Sequence, residues 1–283
     1  MKITEENTVL QQLQHVELEM YKEVVKICNR HNLTYYMSAG TFLGAIRHKG
    51  FIPWDDDMDM RVPRDDYEKL IRILREELPE PYIVQYFAYD KNVHRYFARV
   101  ENTKVKLIRR HAVKPELSNA WIDIFPLDGM PEGKIRSKLR KIHLLYLKTL
   151  MQLSVFDEIV TLKKERPWYE KLVVLIATKT PVQKMLSWEK RSLKMDKALK
   201  SFPVSESKTY MNFMSAYKFK DIMPKSVYGK GALYQFEDTE FQGAEDYDTF
   251  LRTLFGDYMK LPPVEKRNKH FFDRASLEFL NDD

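Results

Sequence analysis

Ser38-Ala39-Gly40-Thr41-Phe42-Leu43-Gly44-Ala45-Ile46-Arg47-His48-Lys49-Gly50-Phe51-Ile52-Pro53-Trp54-Asp55-Asp56-Asp57-Met58-Asp59-Met60 is the stretch around which the rest of the chain is read. The extended apolar run Leu33-Thr34-Tyr35-Tyr36-Met37 leads into Ser38-Ala39-Gly40, the small residues a backbone needs if its N–H groups are to approach a bulky anion. Thr41 to His48 predicts a short helix whose positive dipole end lies beside the same anion. The chain then turns through Gly50 and Pro53 into a cluster of carboxylates. Asp57 and Asp59 alternate with Met58 and Met60, the period of a strand. Alternation places both carboxylates on one face, roughly 6–7 Å apart along the backbone, where they can grip one hard cation. Solvated acidic loops rarely carry apolar residues in strict alternation, so the acids read as a site. A phosphate cradle followed by an Asp-x-Asp strand predicts a nucleotide-polyphosphate site.

A second carboxylate strand follows downstream, Ala120-Trp121-Ile122-Asp123-Ile124-Phe125-Pro126-Leu127-Asp128-Gly129. An Asp between two isoleucines in an apolar strand is expensive unless it is paired or bound to metal. Asp128, beside Gly129, reads as a turn residue. Arg99, on the run His94–Val100, alternates onto the face opposite Tyr96 and Ala98 and is a candidate for reaching a phosphate.

The strings Gly40–His48 and Gly50–Asp59, with Ile122–Asp128, closely resemble the signature of the LicD family. Its members are phosphorylcholine transferases of bacterial surface polysaccharides, related to the fukutin-type ribitol-phosphate transferases. Leu254–Pro263, with Glu265, Arg267 and His270 beyond, resembles the family's C-terminal signature. The resemblance runs from about Leu33 to His270 and is weakest between Lys134 and Lys200. It implies a nucleotidyltransferase-like core with Asp57, Asp59 and Asp123 as catalytic groups and ligands of Mg²⁺ or Mn²⁺. Gly40, Thr41, Arg47 and His48 would contact the nucleotide phosphates. The implied reaction moves phosphocholine from CDP-choline to a sugar hydroxyl of a surface polysaccharide or teichoic acid precursor, releasing CMP. A quaternary ammonium favours aromatic faces, so Trp54, Tyr36, Tyr86 and Phe87 are candidates for the choline end. The same site would suit ribitol, glycerol or ethanolamine phosphate, or transfer of a nucleotide.

Composition bounds the alternatives. The chain has 283 residues, 44% hydrophobic and 31% charged, as soluble globular proteins do, with Cys28 as its single cysteine. That excludes a disulfide framework and a cysteine-based zinc site. Met1 to Glu6 carries acids where a signal peptide needs an apolar core. No apolar run approaches the roughly 18–20 residues that span a bilayer. The expected location is the cytoplasm, at the inner face of the plasma membrane. From Lys134 to Lys200 there are 17 Lys and Arg against 6 Asp and Glu, although the whole chain carries only +6. With Trp168 and Tyr169 beside Leu172–Ile176, this segment reads as an interfacial face for anionic membrane, where a lipid-linked glycan acceptor would be presented. A metal-dependent nucleic-acid-binding protein is the reading from another class. The basic charge sits with Leu and Trp away from the Asp motif, and no nucleic-acid signature is found, so no nucleic acid is expected as partner.

The expected architecture is α/β, a mixed α+β sheet with a largely helical basic subdomain. Residues 1–130 form the nucleotidyltransferase-like core, 131–205 the basic helical part and 206–283 a C-terminal part packing back on the core. Leu10, Leu13, Val16, Met20, Val24 and Ile27 recur every three or four residues, a supporting amphipathic helix. Pro63 opens a second helix with Asp65 and Asp66 in its first turn. Tyr82–Phe87, His94–Val100 and Val105–Ile108 read as three short strands. Tyr210–Phe213 and Leu233–Phe241 read as extended, and Glu245–Phe255 as a helix that Pro262-Pro263 stops.

Overall fold

A computed structural model describes residues 5–109, 116–155, 186–267 and 278–279. Helix α1 (Glu5–Arg30) packs its apolar stripe, with Leu13, Met20 and Val24 buried, and ends where Asn32 turns the chain through positive φ. Strand β1 (Tyr36–Met37), helix α2 (Ala39–His48), strand β2 (Met58–Pro63) and helix α3 (Arg64–Glu77) follow. Strands β3 (Tyr82–Gln85), β4 (Ala98–Arg109) and β5 (Glu116–Gly129) complete the central sheet. Helices α4 (Lys134–Leu153) and α5 (Trp188–Lys200) then pack together, and α5 also meets β5. The C-terminal part comprises β6 (Thr209–Met211), β7 (Ile222–Pro224), α6 (Lys225–Tyr228), the hairpin β8 (Ala232–Phe236) and β9 (Thr239–Gly243), α7 (Tyr247–Phe255) and β10 (Glu278–Phe279).

The sheet is mixed α/β in character, as expected. Its spine runs β1-β2-β5-β4-β10, with β3 also on β4 and β6 joining the end of β5 to β7. Among the described residues only β2 and β5 pair in parallel, and their register sets Asp59 directly beside Asp123. On β2, Met58, Met60 and Val62 are fully buried on one face, so Asp59 and Arg61 share the other. A sheet with two covered faces explains why this strand is apolar on one side and ionic, yet still buried, on the other.

Several local expectations are corrected. The second and third predicted short strands are one strand, β4, with a bulge between Asn102 and Lys106, and residues 94–97 precede it. An irregular register holds the ladder together where turn-like residues suggested a break. Pro63 closes β2 and is also the N-cap of α3, one residue before the first helical position, with φ −51°. Helix α7 stops at Phe255 because Gly256 adopts φ 73°, well before the prolines. Asp128 is no turn residue: it lies buried in β5, with its two oxygens accepting from Arg64 Nε at 2.7 Å and Nη2 at 2.8 Å. The positions of His270 and of Trp168 to Ile176 lie outside the described residues.

Arg61 ties the two ends of the chain together. Its guanidinium is fully buried and donates to both Asp221 oxygens at 2.9 and 3.1 Å. It donates as well to Tyr228 Oη at 2.9 Å and, through Nε and Nη2, to Ser38 Oγ at 3.0 and 2.9 Å. Every donor has a partner, which makes a buried charge tolerable. Asp221→Ala strands that charge and should cost about 3–5 kcal/mol in denaturant unfolding. A loss below about 1 kcal/mol would show that Tyr228 and Ser38 suffice to hold Arg61.

Candidate nucleotide and metal site

The parallel β2–β5 pair ends at a cleft of about 600 Å³. One wall is the start of α2, where Ser38, Ala39 and Gly40 line the cleft. Ser38 stands at the N-cap position, but its hydroxyl is taken by Arg61 and does not cap the helix. The first turn of α2 contains no acid. A helix start whose own cap residue and first turn supply no acceptor presents N–H groups and dipole to the cleft, here with the Asp55 carboxylate close beside Gly40. At Gly40 a Cβ would lie 2.6 Å from Asp55 Oδ2, so glycine lets that carboxylate come close without shifting aside.

The acids form the floor. Asp55, Asp56, Asp57, Asp59 and Asp123 all line the cleft. Asp55, Asp56 and Asp57 each offer an oxygen lying within 4.8 Å of the others. Asp57 precedes the strand and does not begin it, since β2 starts at Met58. Burial first, then the carboxylates of Asp57, Asp123 and Asp55, push the Asp59 carboxyl well above its usual range, with Arg61 acting in the opposite sense. Like charges gathered in a poorly hydrated place repel, and a hard divalent cation is the partner that relieves them. The donor set, all carboxylate oxygen, fits Mg²⁺ or Mn²⁺. The acids that come closest together are therefore Asp55, Asp56 and Asp57, and not the predicted trio of Asp57, Asp59 and Asp123.

Asp123 has a partner of its own. Arg99 stands opposite it on β4 and donates to its two oxygens at 2.6 and 2.9 Å, beneath the Trp121 ring. Arg99 thus addresses a carboxylate and is not among the cleft-lining residues. Thr41 also lies behind the cleft, buried, where its hydroxyl accepts from the Asp59 backbone N–H at 2.8 Å. Arg47 lines the cleft and donates to the Tyr258 carbonyl at 2.7 Å. His48 does not line it; burial and then Arg47 hold its imidazole below the ordinary value, which favours the neutral ring.

Trp54 lines the cleft with the Arg267 guanidinium 4.9 Å from its ring centroid and His48 edge-on. Tyr36, Tyr86 and Phe87 are buried in the core, away from the cleft. The aromatic groups that do reach it are Phe125, Tyr217, Phe255 and Tyr258. Sequence reading missed these, and missed Asp55 as an equal member of the acid cluster. For Phe255, Tyr258 and Arg267 the signal was present in the Leu254–Pro263 string and its extension.

Residues 32–130 match the family described as LicD/FKTN/FKRP, nucleotidyltransferase domain. The chain is 30% identical over 264 residues to the lipopolysaccharide cholinephosphotransferase LicD of Haemophilus influenzae, covering 89% of this chain and 91% of that one. It is also 35% identical over 68 residues to an uncharacterised protein of Rickettsia prowazekii, 24% of this chain and 26% of that one. A further match, to an uncharacterised protein of Rickettsia typhi, is 22% identical over 157 residues, 56% of this chain and 47% of that one.

The Thr41 latch can be tested separately from the chemistry. Thr41→Val leaves the Asp59 N–H without its acceptor and should cost about 1–3 kcal/mol in unfolding free energy. Thr41→Ser keeps the hydroxyl and should recover most of that loss. A loss for Ser with none for Val would mean that the methyl group, and not the hydrogen bond, holds this position.

Proposed function

The chain belongs to the LicD family and is a transferase, and on that premise we propose that it moves phosphocholine from CDP-choline to a sugar hydroxyl, releasing CMP. The acceptor in this reading is a lipid-linked precursor of a surface polysaccharide, lipopolysaccharide or teichoic acid. One observation carries it: the uncapped start of α2 and a five-aspartate floor open into the same cleft. Anion-binding backbone beside clustered carboxylates suits a diphosphate bridged to a divalent cation.

Ser38, Ala39 and Gly40 receive the donor phosphates, with Arg47 at the other end of α2 bringing positive charge to the cleft. Asp55, Asp57 and Asp59 would hold Mg²⁺ or Mn²⁺, whose charge would offset that of the phosphates and of the departing CMP. Asp123, kept in one orientation by the bidentate Arg99, sits beside Asp59 and orients the acceptor hydroxyl or takes its proton. Phe125, Tyr217, Phe255 and Tyr258 give the cleft the aromatic surface a trimethylammonium group favours. The Trp54 face already carries Arg267, so a choline contact there requires that arginine to move aside.

A peripheral membrane position is part of the reading. No helix among the described residues is long and apolar enough to cross a membrane. Helix α4 nevertheless exposes a stripe: Ile135 is 76% exposed, Leu139 62%, Ile142 55% and Tyr146 61%. These positions recur every three or four residues and lie along one line of the helix. The helix contains no Asp or Glu; Lys134, Arg136 and Lys138 are exposed at the start of the stripe, whereas Arg140, Lys141 and Lys148 turn to Leu199, Phe219 and Phe213. Apolar residues flanked by cations match an anionic lipid surface.

Purified protein with Mg²⁺ and a glycan acceptor should release CMP from CDP-choline. Asp57→Asn and Asp59→Asn should each lower kcat by at least about a hundredfold. Wild-type turnover by Asp59→Asn at saturating Mg²⁺ would overturn the site. CMP release from CDP-ribitol or CDP-glycerol, with none from CDP-choline, would reassign the donor. A desolvated cation–π contact of about 2 kcal/mol predicts roughly thirtyfold preference for CDP-choline over CDP-ethanolamine.

Membrane contact has its own check. Sedimentation with anionic liposomes should fall as salt rises, since the Debye length shrinks to about 3 Å at 1 M. Leu139→Glu with Ile142→Glu should abolish it. Equal recovery with neutral and anionic liposomes would remove the electrostatic part.

A further inference from the structure

Beyond α7 the chain returns to the cleft as a strap whose one regular piece is a 3₁₀ turn, Val264–Lys266. Asp257, Tyr258, Lys260, Pro262 and Arg267 of this strap all line the cleft. It is pinned at Tyr258, whose carbonyl accepts from Arg47 at 2.7 Å and whose hydroxyl donates to Asp248 at 2.9 Å. Its end is pinned by Arg267.

Arg267 is held at two points. Its guanidinium carbon sits 4.9 Å from the ring centroid of Trp54, the residue before Asp55, and its Nε donates to the Pro262 carbonyl at 2.9 Å. Trp54 itself packs against the core, so the platform is fixed. The two Nη groups make no hydrogen bond among the described residues. Arg47 is likewise tied to a backbone carbonyl, which orients a guanidinium without neutralising it. Among the described residues neither arginine pairs with a carboxylate, although five aspartates line the same cleft. Burial holds the Arg47 guanidinium below its ordinary value; Asp55 acts against that and Arg267 adds to it. Two cations that feel each other in one cleft, both oriented and neither paired, call for an anion.

We propose that Arg267 binds the diphosphate of the nucleotide donor through its Nη groups, beside Arg47, and that Trp54 is the platform that holds it ready. The inference rests on the nucleotide-donor reading of the cleft and adds to it a residue of the strap. A planar fork fixed in advance matches phosphate oxygens and loses little freedom on binding them. Trp54 thereby serves the part common to every CDP-alcohol, and choice of the alcohol falls to the other aromatic residues of the cleft, Phe125, Tyr217, Phe255 and Tyr258.

The test is equilibrium binding of CDP-choline, CDP-ethanolamine and CDP-ribitol to the full chain with Mg²⁺, read by calorimetry. Arg267→Met should weaken every donor that the wild type binds by about tenfold or more, and by one common factor, since a phosphate contact does not read the alcohol. Arg267→Lys, with charge but no fork, should recover part of the loss. Trp54→Ala should also weaken the donors equally. Adding it to Arg267→Met should cost little more, because the two changes remove one interaction. Unchanged donor affinity in Arg267→Met overturns the proposal. So does tighter binding of CDP-choline alone, the result if Arg267 only covers a choline-binding face of Trp54. If Asp59→Asn abolishes turnover while Arg267→Met keeps full affinity, the cleft remains the donor site and only Arg267's part in it fails. Binding of no CDP-alcohol by the wild type overturns both.

Discussion

The guanidinium of Arg61 has no contact with water, so its charge has to be met inside the protein, and meeting it organises the molecule. Asp221 supplies the counter-charge from the C-terminal part and Tyr228 a further acceptor from α6. Ser38 supplies the last acceptor from the chain just before α2. A buried ion pair of this kind adds little net stability over an apolar substitute, but it tolerates only one arrangement of its partners. Three distant segments are therefore fixed relative to β2. One result is that Ser38 cannot cap α2, which leaves the helix start open toward the cleft.

The same economy of charge separates structural acids from those of the site. Asp221, Asp128 and Asp123 each hold a bidentate arginine, respectively Arg61, Arg64 and Arg99. Asp55, Asp57 and Asp59 line one cleft, where burial and then Asp57, Asp123 and Asp55 push the Asp59 carboxyl upward. Arginines placed against particular carboxylates leave the remaining negative charge concentrated in one place. Concentrated carboxylate in a poorly hydrated cleft is a standing attraction for a divalent cation. Asp123 belongs to both groups: it is neutralised by Arg99 on one side and open to the cleft on the other.

Positive charge is segregated as strictly. Helix α4 has basic residues along its length and no acid, while its buried side, Leu144, Leu147 and Met151, packs inward. The exposed line from Ile135 to Tyr146 points away from that packing. One helix thereby uses one apolar face for the fold and presents a second outward, a division that a period of 3.6 residues permits without further elements.

What the amino-acid sequence alone determined was local. The alternation from Asp57 to Met60, the small residues before α2 and the Ile-Asp-Ile strand were legible because each depends on the period of its own element. The match of mixed sheet, helix order and family signature follows from the same short-range patterns. What only the tertiary structure decided was which charge meets which. Asp123 and Asp128 look alike in sequence, five residues apart on β5 and so on opposite faces of it. One opens to the cleft beside Asp59, and the other is locked by Arg64. Thr41 and Arg99 read as phosphate ligands but serve the backbone of Asp59 and the carboxylate of Asp123. The physical reason is common to all of them: periodicity is written along the chain, whereas the energy of a charge is set by neighbours that the fold alone brings near.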